Sequence, residues 1–167
     1  MSDTFLIHTP HSQDLPALIA LWRERMVIIS QSVPHLRRHI PAESAHVAQL
    51  EMWLTMPTAH IVYATQNNTV IGYIVGDMRD DKWVIQEMAL DAHAYHRGLG
   101  KGLFVALQTW FTNTAPKPIV IRAPRYYAVE QAFWRALGAT DWTDTTWEKN
   151  PLYTWMILLS VPPHLPM

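Results

Sequence analysis

The sequence predicts an α/β fold built on a mixed, mostly antiparallel sheet with helices on both faces. Three observations lead there: a polar two-residue turn between two strand-like runs, a glycine-rich loop carrying a strand into a helix, and a short apolar run beyond that helix. The last of these can rejoin the sheet in parallel, because the intervening helix is long enough to cross over.

Each element has its own signal. Phe5-Leu6-Ile7-His8 reads as a first strand, and Asp14 offers an N-cap for a helix over Asp14–Met26, where Leu15, Leu18, Ile19, Trp22 and Met26 recur at helical spacing. A second helical stretch covers about Glu43–Leu54. His60–Thr65 and Thr69–Asp77 form a hairpin around Asn67-Asn68, since asparagine tolerates the left-handed backbone of a tight turn. Strand Trp83–Leu90 follows through a short connection, hence antiparallel. Beyond the glycines a helix from Gly100 carries an apolar-periodic stretch from Leu103 to Phe111, and Ile119-Val120-Ile121 reads as a buried strand parallel to Trp83–Leu90. A helix over Glu130–Leu137 stops at Gly138, and a strand pair near Trp147 and at Tyr153–Val161 closes the order.

Composition bounds what such a fold can do. A chain of 167 residues fits one domain, expected to span residues 1-161, with the proline-rich 162-167 as a loose tail. A net charge of −1 leaves no basic footprint for nucleic acid. No apolar run reaches the length of a membrane span and the start lacks a signal pattern, so no membrane partner is expected. With no cysteine there is neither a disulfide nor thiolate chemistry, and a cytoplasmic location is the expectation. Among the eight tryptophans, Trp22, Trp83, Trp110 and Trp134 are expected to fill the core.

Gly98, Gly100 and Gly102 are three of only six glycines in the chain, and they stand directly before a helix. Glycines admit a bulky anion close to the backbone, and a helix start adds partial positive charge; Arg97 and Lys101 place cations beside them. A phosphate-bearing ligand fits this loop. It is not a dinucleotide fingerprint, because Leu103 occupies the third glycine position and Asn113–Val129 contains no acid. Nor is it a P-loop, which would need Ser or Thr at Gly102 and glycine at Tyr95.

The stretch resembles the acyl-CoA loop of the GNAT N-acetyltransferase superfamily, Gln/Arg-x-x-Gly-x-Gly/Ala. Two frames are open. Tyr95-His96-Arg97-Gly98-Leu99-Gly100 keeps the family's spacing after Leu90 and is preferred, although it puts Tyr95 where the family has Gln or Arg. Arg97-Gly98-Leu99-Gly100-Lys101-Gly102 satisfies the pattern literally but lengthens the turn by two residues. Phe133-Trp134-Arg135-Ala136-Leu137-Gly138-Ala139 is similar to the family's second motif, and the resemblance runs from Thr4 to Val161.

The resemblance implies an acetyl-CoA-dependent N-acetyltransferase that moves an acetyl group to an unidentified primary amine by direct attack in a ternary complex. It assigns the backbone of Met88, Ala89 and Leu90, the loop Tyr95, His96, Arg97, Gly98, Leu99, Gly100, Lys101 and Gly102, and the Trp134 indole to acetyl-CoA. Glu87 is the candidate base or ammonium-binding carboxylate. Strand alternation groups it with Trp83, Ile85 and Ala89, and groups the alternative Gln86 with Val84 and Met88. Family members use acids at either position, aided by a local bulge. The tyrosine expected four residues before Gly138 is Trp134, and the asparagine expected seven residues before that is Tyr127. The options are then a phenol from Tyr126 or Tyr127, departure of the thiol as thiolate, or a non-catalytic acyl-CoA-binding module of the same fold. His93 and His96 lack a third ligand, so no metal is expected. Met52, Trp53 and Met56 lie in the region that shapes the family's acceptor pocket, and the resemblance allows a homodimer.

Overall fold

The computed structural model describes residues 4–94, 98–125 and 127–159. Seven strands form one sheet in the order β1-β2-β3-β4-β5-β7-β6. Strands β1 (Leu6–His8), β2 (His60–Gln66), β3 (Thr69–Arg79) and β4 (Lys82–Leu90) are antiparallel neighbours; β5 (Ile119–Pro124) is parallel to β4, and β7 (Tyr153–Leu158) and β6 (Thr140–Asp141) return antiparallel. Helices α1 (Leu15–Ser32) and α2 (Glu43–Thr55) cover one face, and α3 (Leu99–Thr114) and α4 (Ala128–Ala136) the other. Among the described residues no helix is long and apolar enough to cross a membrane.

Turn chemistry sets the strand order. Asn67 and Asn68 have φ of 52° and 63°, and the β3–β4 turn repeats the device with Asp80 and Asp81 at 48° and 63°. Two successive positive φ values match the right-handed strand twist and close tight hairpins. The α3 crossover then makes β5 parallel to β4, as expected.

Helix α1 outruns its predicted end at Met26, because the buried series Leu18, Leu21, Trp22, Arg25, Met26 continues through Ile29; Val33, which precedes Pro34, is disfavoured as a helical residue and ends it. Asp14 holds the N-cap position as expected, but its side chain makes no capping hydrogen bond to α1. It sits in a 3-10 turn, Ser12–Asp14, with α-region φ and ψ, and its carboxylate accepts the His11 N–H at 2.8 Å. The closing strand pair is also corrected: β7 pairs with Thr140–Asp141, and Trp147 lies in the connecting loop. Its indole N–H donates to Asp80 on the β3–β4 turn at 2.9 Å and its ring carries Arg79 at 4.2 Å, so Trp147 fastens a loop to a hairpin. Strand β7 ends at Leu158; Val161 and the tail 162–167 lie outside the described residues.

Of three apolar clusters among the described residues, the smallest is the group Val84, Val120, Trp147 and Ile157, and the two large ones flank the sheet. One joins α3 and α4 to Trp83, Ile85, Met88 and Leu90 of β4, and the other joins α1 and α2 to Tyr73, Val75 and Ala89. Trp22, Trp83 and Trp134 are buried in these cores, whereas Trp110 is half-buried, stacked on His60 at 4.5 Å. Gly76 lets α3 lie on β3: a Cβ there would fall 2.2 Å from Phe111 Cζ, and that ring is stacked on Trp83 at 4.5 Å. Replacing Gly76 with valine therefore overpacks this face and should lower the urea-unfolding free energy by about 2 kcal/mol or more. An unfolding midpoint unchanged from the parent protein would contradict the packing.

Candidate active site

Strand β4 carries one residue too many for its partner. Val75 pairs with Glu87 and the next residue, Gly76, pairs with Ile85, which leaves Gln86 as a bulge. The extra residue reverses the alternation. Trp83 and Ile85 share a core with Met88 and Leu90, while Glu87 and Ala89 face α1 and α2. This corrects the expected grouping of Glu87 with Trp83 and Ile85, because simple alternation has no room for a two-against-one pairing.

Beyond the bulge, β4 parts from β5. Their parallel pairing covers only Trp83–Ile119, Val84–Val120 and Ile85–Ile121, although both strands continue. Asp91 N–H donates to Ile71 C=O on β3 at 2.8 Å, so the odd-numbered residues Glu87 and Ala89 present their backbone groups to β3 and the even-numbered Met88 and Leu90 present theirs to the gap. Of the expected backbone contacts, Met88 and Leu90 therefore face the opening and Ala89 does not.

At one end of the gap stands α3. Gly98 is its N-cap with φ 75°, and Gly102 N–H donates to Gly98 C=O at 3.0 Å as the first intrahelical bond. The N–H groups of Leu99, Gly100 and Lys101 thus have no acceptor within the helix, while that of Gly102 is engaged. A Cβ on Gly98 would meet nothing within 4 Å, so the loop is open on that side. Gly100 fits where a Cβ would lie 3.3 Å from Phe133 and 3.5 Å from Leu90, joining α3, α4 and the end of β4. Gly102 makes room for the Phe5 ring, which a Cβ would approach to 3.0 Å. Tyr95, His96, Arg97 and Tyr126 lie outside the described residues.

The other end is a buried polar network drawn from six elements. Glu87, 6% exposed, accepts from His46 Nε2 of α2 at 3.1 Å and from the Tyr73 hydroxyl of β3. Burial alone would raise the Glu87 pKa; the His46 hydrogen bond and charge, the Tyr73 hydroxyl and the Arg25 charge outweigh it and hold the pKa below the ordinary value, leaving an ionised carboxylate at neutral pH. Burial, and then the Glu87 charge, push the Tyr73 phenol well above its ordinary value, so it donates as a neutral hydroxyl. Trp22 stacks on His46 at 4.4 Å and Trp53 meets its edge at 6.3 Å. Arg25 of α1, 2% exposed, donates to Met88 C=O on the open edge of β4 and pairs with Glu130 of α4 at 3.3 Å. Since α1 and α4 lie on opposite faces, the guanidinium passes through the gap. Burial would lower the Arg25 pKa; Glu130, Tyr153 of β7, Glu87 and Tyr73 together hold it above its ordinary value.

Of the other expected residues, Tyr127 is the N-cap of α4 and lines a small apolar recess with Ile29, Val33, Leu36, Pro124 and Leu152. Trp134 is buried against Phe104 and Phe133, at 5.7 and 4.8 Å between ring centroids. Its indole N–H is near enough to Glu130, one turn earlier, to draw down that carboxyl's pKa, yet it lacks hydrogen-bond geometry; burial dominates, and the Glu130 pKa is raised. Reasoning from the sequence missed Arg25, His46, Tyr73 and Glu130. A signal existed for two of them: Arg25 interrupts the apolar face of α1, and His46 shares a helical face with Leu50 and Trp53.

The family model described as "Acetyltransferase (GNAT) family" matches residues 21–139. No curated protein sequence matches the chain. In fold it is similar to the PaiA N-acetyltransferase of Thermoplasma acidophilum in complex with coenzyme A, with TM-score 0.76 and 16% identity over 94% of this chain and 99% of that one. It is also similar to a ribosomal-protein-alanine N-acetyltransferase from Escherichia coli, at TM-score 0.64 and 15% identity over 98% and 100%. An aminoglycoside N-acetyltransferase in complex with CoA gives TM-score 0.68 and 17% identity over 90% and 97%.

The two buried carboxylates should respond oppositely to pH. A lowered folded-state pKa makes the Glu87 contribution complete above the unfolded value of about 4.3 and loses it as the pH falls through the folded value. The stability difference between the parent protein and Glu87→Gln should therefore shrink as urea titrations move to lower pH. Glu130, with a raised pKa, contributes fully below the unfolded value and loses that contribution as pH rises, so the difference for Glu130→Gln should move the other way. Parallel trends for the two variants would contradict the assignment.

Proposed function

The chain belongs to the acetyltransferase (GNAT) family, and from that membership we propose that it moves an acetyl group from acetyl-CoA to a primary amine by direct attack within a ternary complex. The single observation that carries this reading is the gap between β4 and β5, with unspent N–H groups at one end and an ionised carboxylate at the other. Residues 1–161 act as one domain. The first turn of α3, with Gly98 left open, suits the pyrophosphate, and the Met88 and Leu90 backbone suits the amide-bearing arm and the thioester carbonyl.

An alkylamine with a pKa of about 10.4 is mostly protonated at neutral pH and must lose a proton to attack. Glu87 holds the ammonium by charge. Its lowered pKa makes it a weak acceptor on its own, so the surplus proton passes to the Glu87–His46 pair. When His46 donates from Nε2 to Glu87, its Nδ1 carries the free lone pair. Tyr73 keeps the carboxylate in place. Gln86 contributes the bulge that aims Glu87, and its amide is the secondary candidate at this position. A non-catalytic acyl-CoA-binding module is the second reading, favoured by Trp134 standing where the family places a phenol.

Calorimetric titration with acetyl-CoA, using ATP and NAD as controls, followed by a screen of primary amines, tests both readings. Binding of acetyl-CoA alone with transfer to an amine is expected; binding without transfer across the panel would support the second reading, and no binding would overturn both. Glu87→Gln should reduce kcat about 100-fold or more with acetyl-CoA affinity unchanged. Gly98→Asn should weaken acetyl-CoA far more than it lowers Tm, because asparagine tolerates the φ of 75° and its side chain enters space that holds no protein atom. A variant that binds like the parent protein would move the pyrophosphate elsewhere.

A further inference from the structure

Two buried side-chain nitrogens have no hydrogen-bond partner among the described residues, Arg25 Nε and Trp134 Nε1. Both are obligate donors: a guanidinium nitrogen and an indole nitrogen can give a proton to a hydrogen bond and cannot accept one. Burying such a donor unpaired costs about 1–3 kcal/mol; Glu130 stands near the Trp134 N–H without hydrogen-bond geometry, and nothing among the described residues accepts from Arg25 Nε, so a better acceptor between them would be favoured. They fall at one place. Arg25 is bonded to Glu130, and Trp134 follows Glu130 by one turn on the same face of α4. Arg25 is further fixed by donating to Met88 C=O, on the edge of β4 that β5 no longer covers. One donor comes from a helix on each face of the sheet, joined through Glu130, and Arg25 reaches the open edge of β4.

Resting on the proposed acetyl transfer, we infer that Arg25 and Trp134 together receive the negative charge of the departing CoA sulfur, so that the thiol leaves as a thiolate and no general acid is required. In this step the amine lone pair forms the N–C bond to the acetyl carbon, and the C–S bond breaks with its electron pair going to sulfur. The surplus amine proton goes to the Glu87–His46 pair. A large, polarisable thiolate is the kind of acceptor that a guanidinium Nε–H and an indole N–H can share, and the guanidinium supplies a full charge. Glu130 occupies only one terminal nitrogen of Arg25, which holds the guanidinium across the gap and leaves Nε free. The departure from the family's tyrosine is thereby compensated from a different helix: a cation on α1 replaces a phenol on α4.

The test is the ionisation of CoA itself when bound, followed through its ultraviolet thiolate absorbance in the full-length protein. A thiol beside this cation should titrate about one pKa unit or more below free CoA. Arg25→Gln should return it to the free value, and Trp134→Phe, which keeps the aromatic packing but removes the donor, should return it part of the way. Should Arg25→Gln fail to fold, the Trp134→Phe shift alone decides. A bound thiol that titrates like free CoA, or one that Trp134→Phe leaves as low as in the parent protein, would overturn the inference. Failure of CoA to bind would instead overturn the acetyltransferase reading on which it rests.

Discussion

The separation of β4 from β5 is the constraint on which the rest of this molecule depends. Three parallel pairs hold the strands together up to Ile85 and Ile121. The Gln86 bulge then turns β4 against β3, and the backbone of Met88 and Leu90 is left without a strand partner on one side. A buried edge of this kind is expensive unless something satisfies it. Arg25 satisfies part of it, at Met88 C=O. The remainder is the opening into which the first turn of α3 also points.

The charges gathered there make little sense as a stabilising device. Replacing a buried ion pair by apolar side chains of similar size is often neutral or stabilising, so Arg25–Glu130 and the Glu87–His46–Tyr73 cluster are poor choices for holding two cores together. Their placement is better explained by chemistry. One carboxylate is held below its ordinary pKa by two donors and the Arg25 charge, from three elements, and the other is pushed above its ordinary pKa by burial. Two carboxylates about one sheet opening with pKa values pushed in opposite directions are what an acid–base site, rather than a core, requires. Trp22 and Trp53 around His46, and Phe104 and Phe133 around Trp134, exclude water from both.

Local chemistry was legible in the sequence and long-range chemistry was not. The Asn67-Asn68 turn, the crossover through α3 and the glycines at its start follow from backbone conformations that few residues adopt, so they can be read from a few adjacent letters. The phase of β4 could not be read this way, because a bulge is a relation between two strands, and Trp83–Leu90 taken alone reads as unbroken alternation. The two-residue β6 was missed for the same reason: Thr140–Asp141 is too short to have a period, and Trp147 carries a strand-forming side chain that is spent on Asp80 and Arg79. Glu87 was identified from its place in the family pattern. The residues around it, His46, Tyr73 and Arg25 with its own partner Glu130, come from four separate segments, and only folding shows that they meet. Trp134 stood out as a departure from the family, but its meaning depends on a helix more than a hundred residues earlier in the chain.

The most direct test of the gap as the acyl-CoA slot is amide-resolved hydrogen exchange with and without acetyl-CoA. The backbone N–H groups of Met88 and Leu90 on β4 and of Leu99, Gly100 and Lys101 on α3 should become protected together, while Ala89, already facing β3, should change little. Protection confined to other surfaces, or equal protection of Met88, Ala89 and Leu90, would contradict a ligand lying along the open edge of β4.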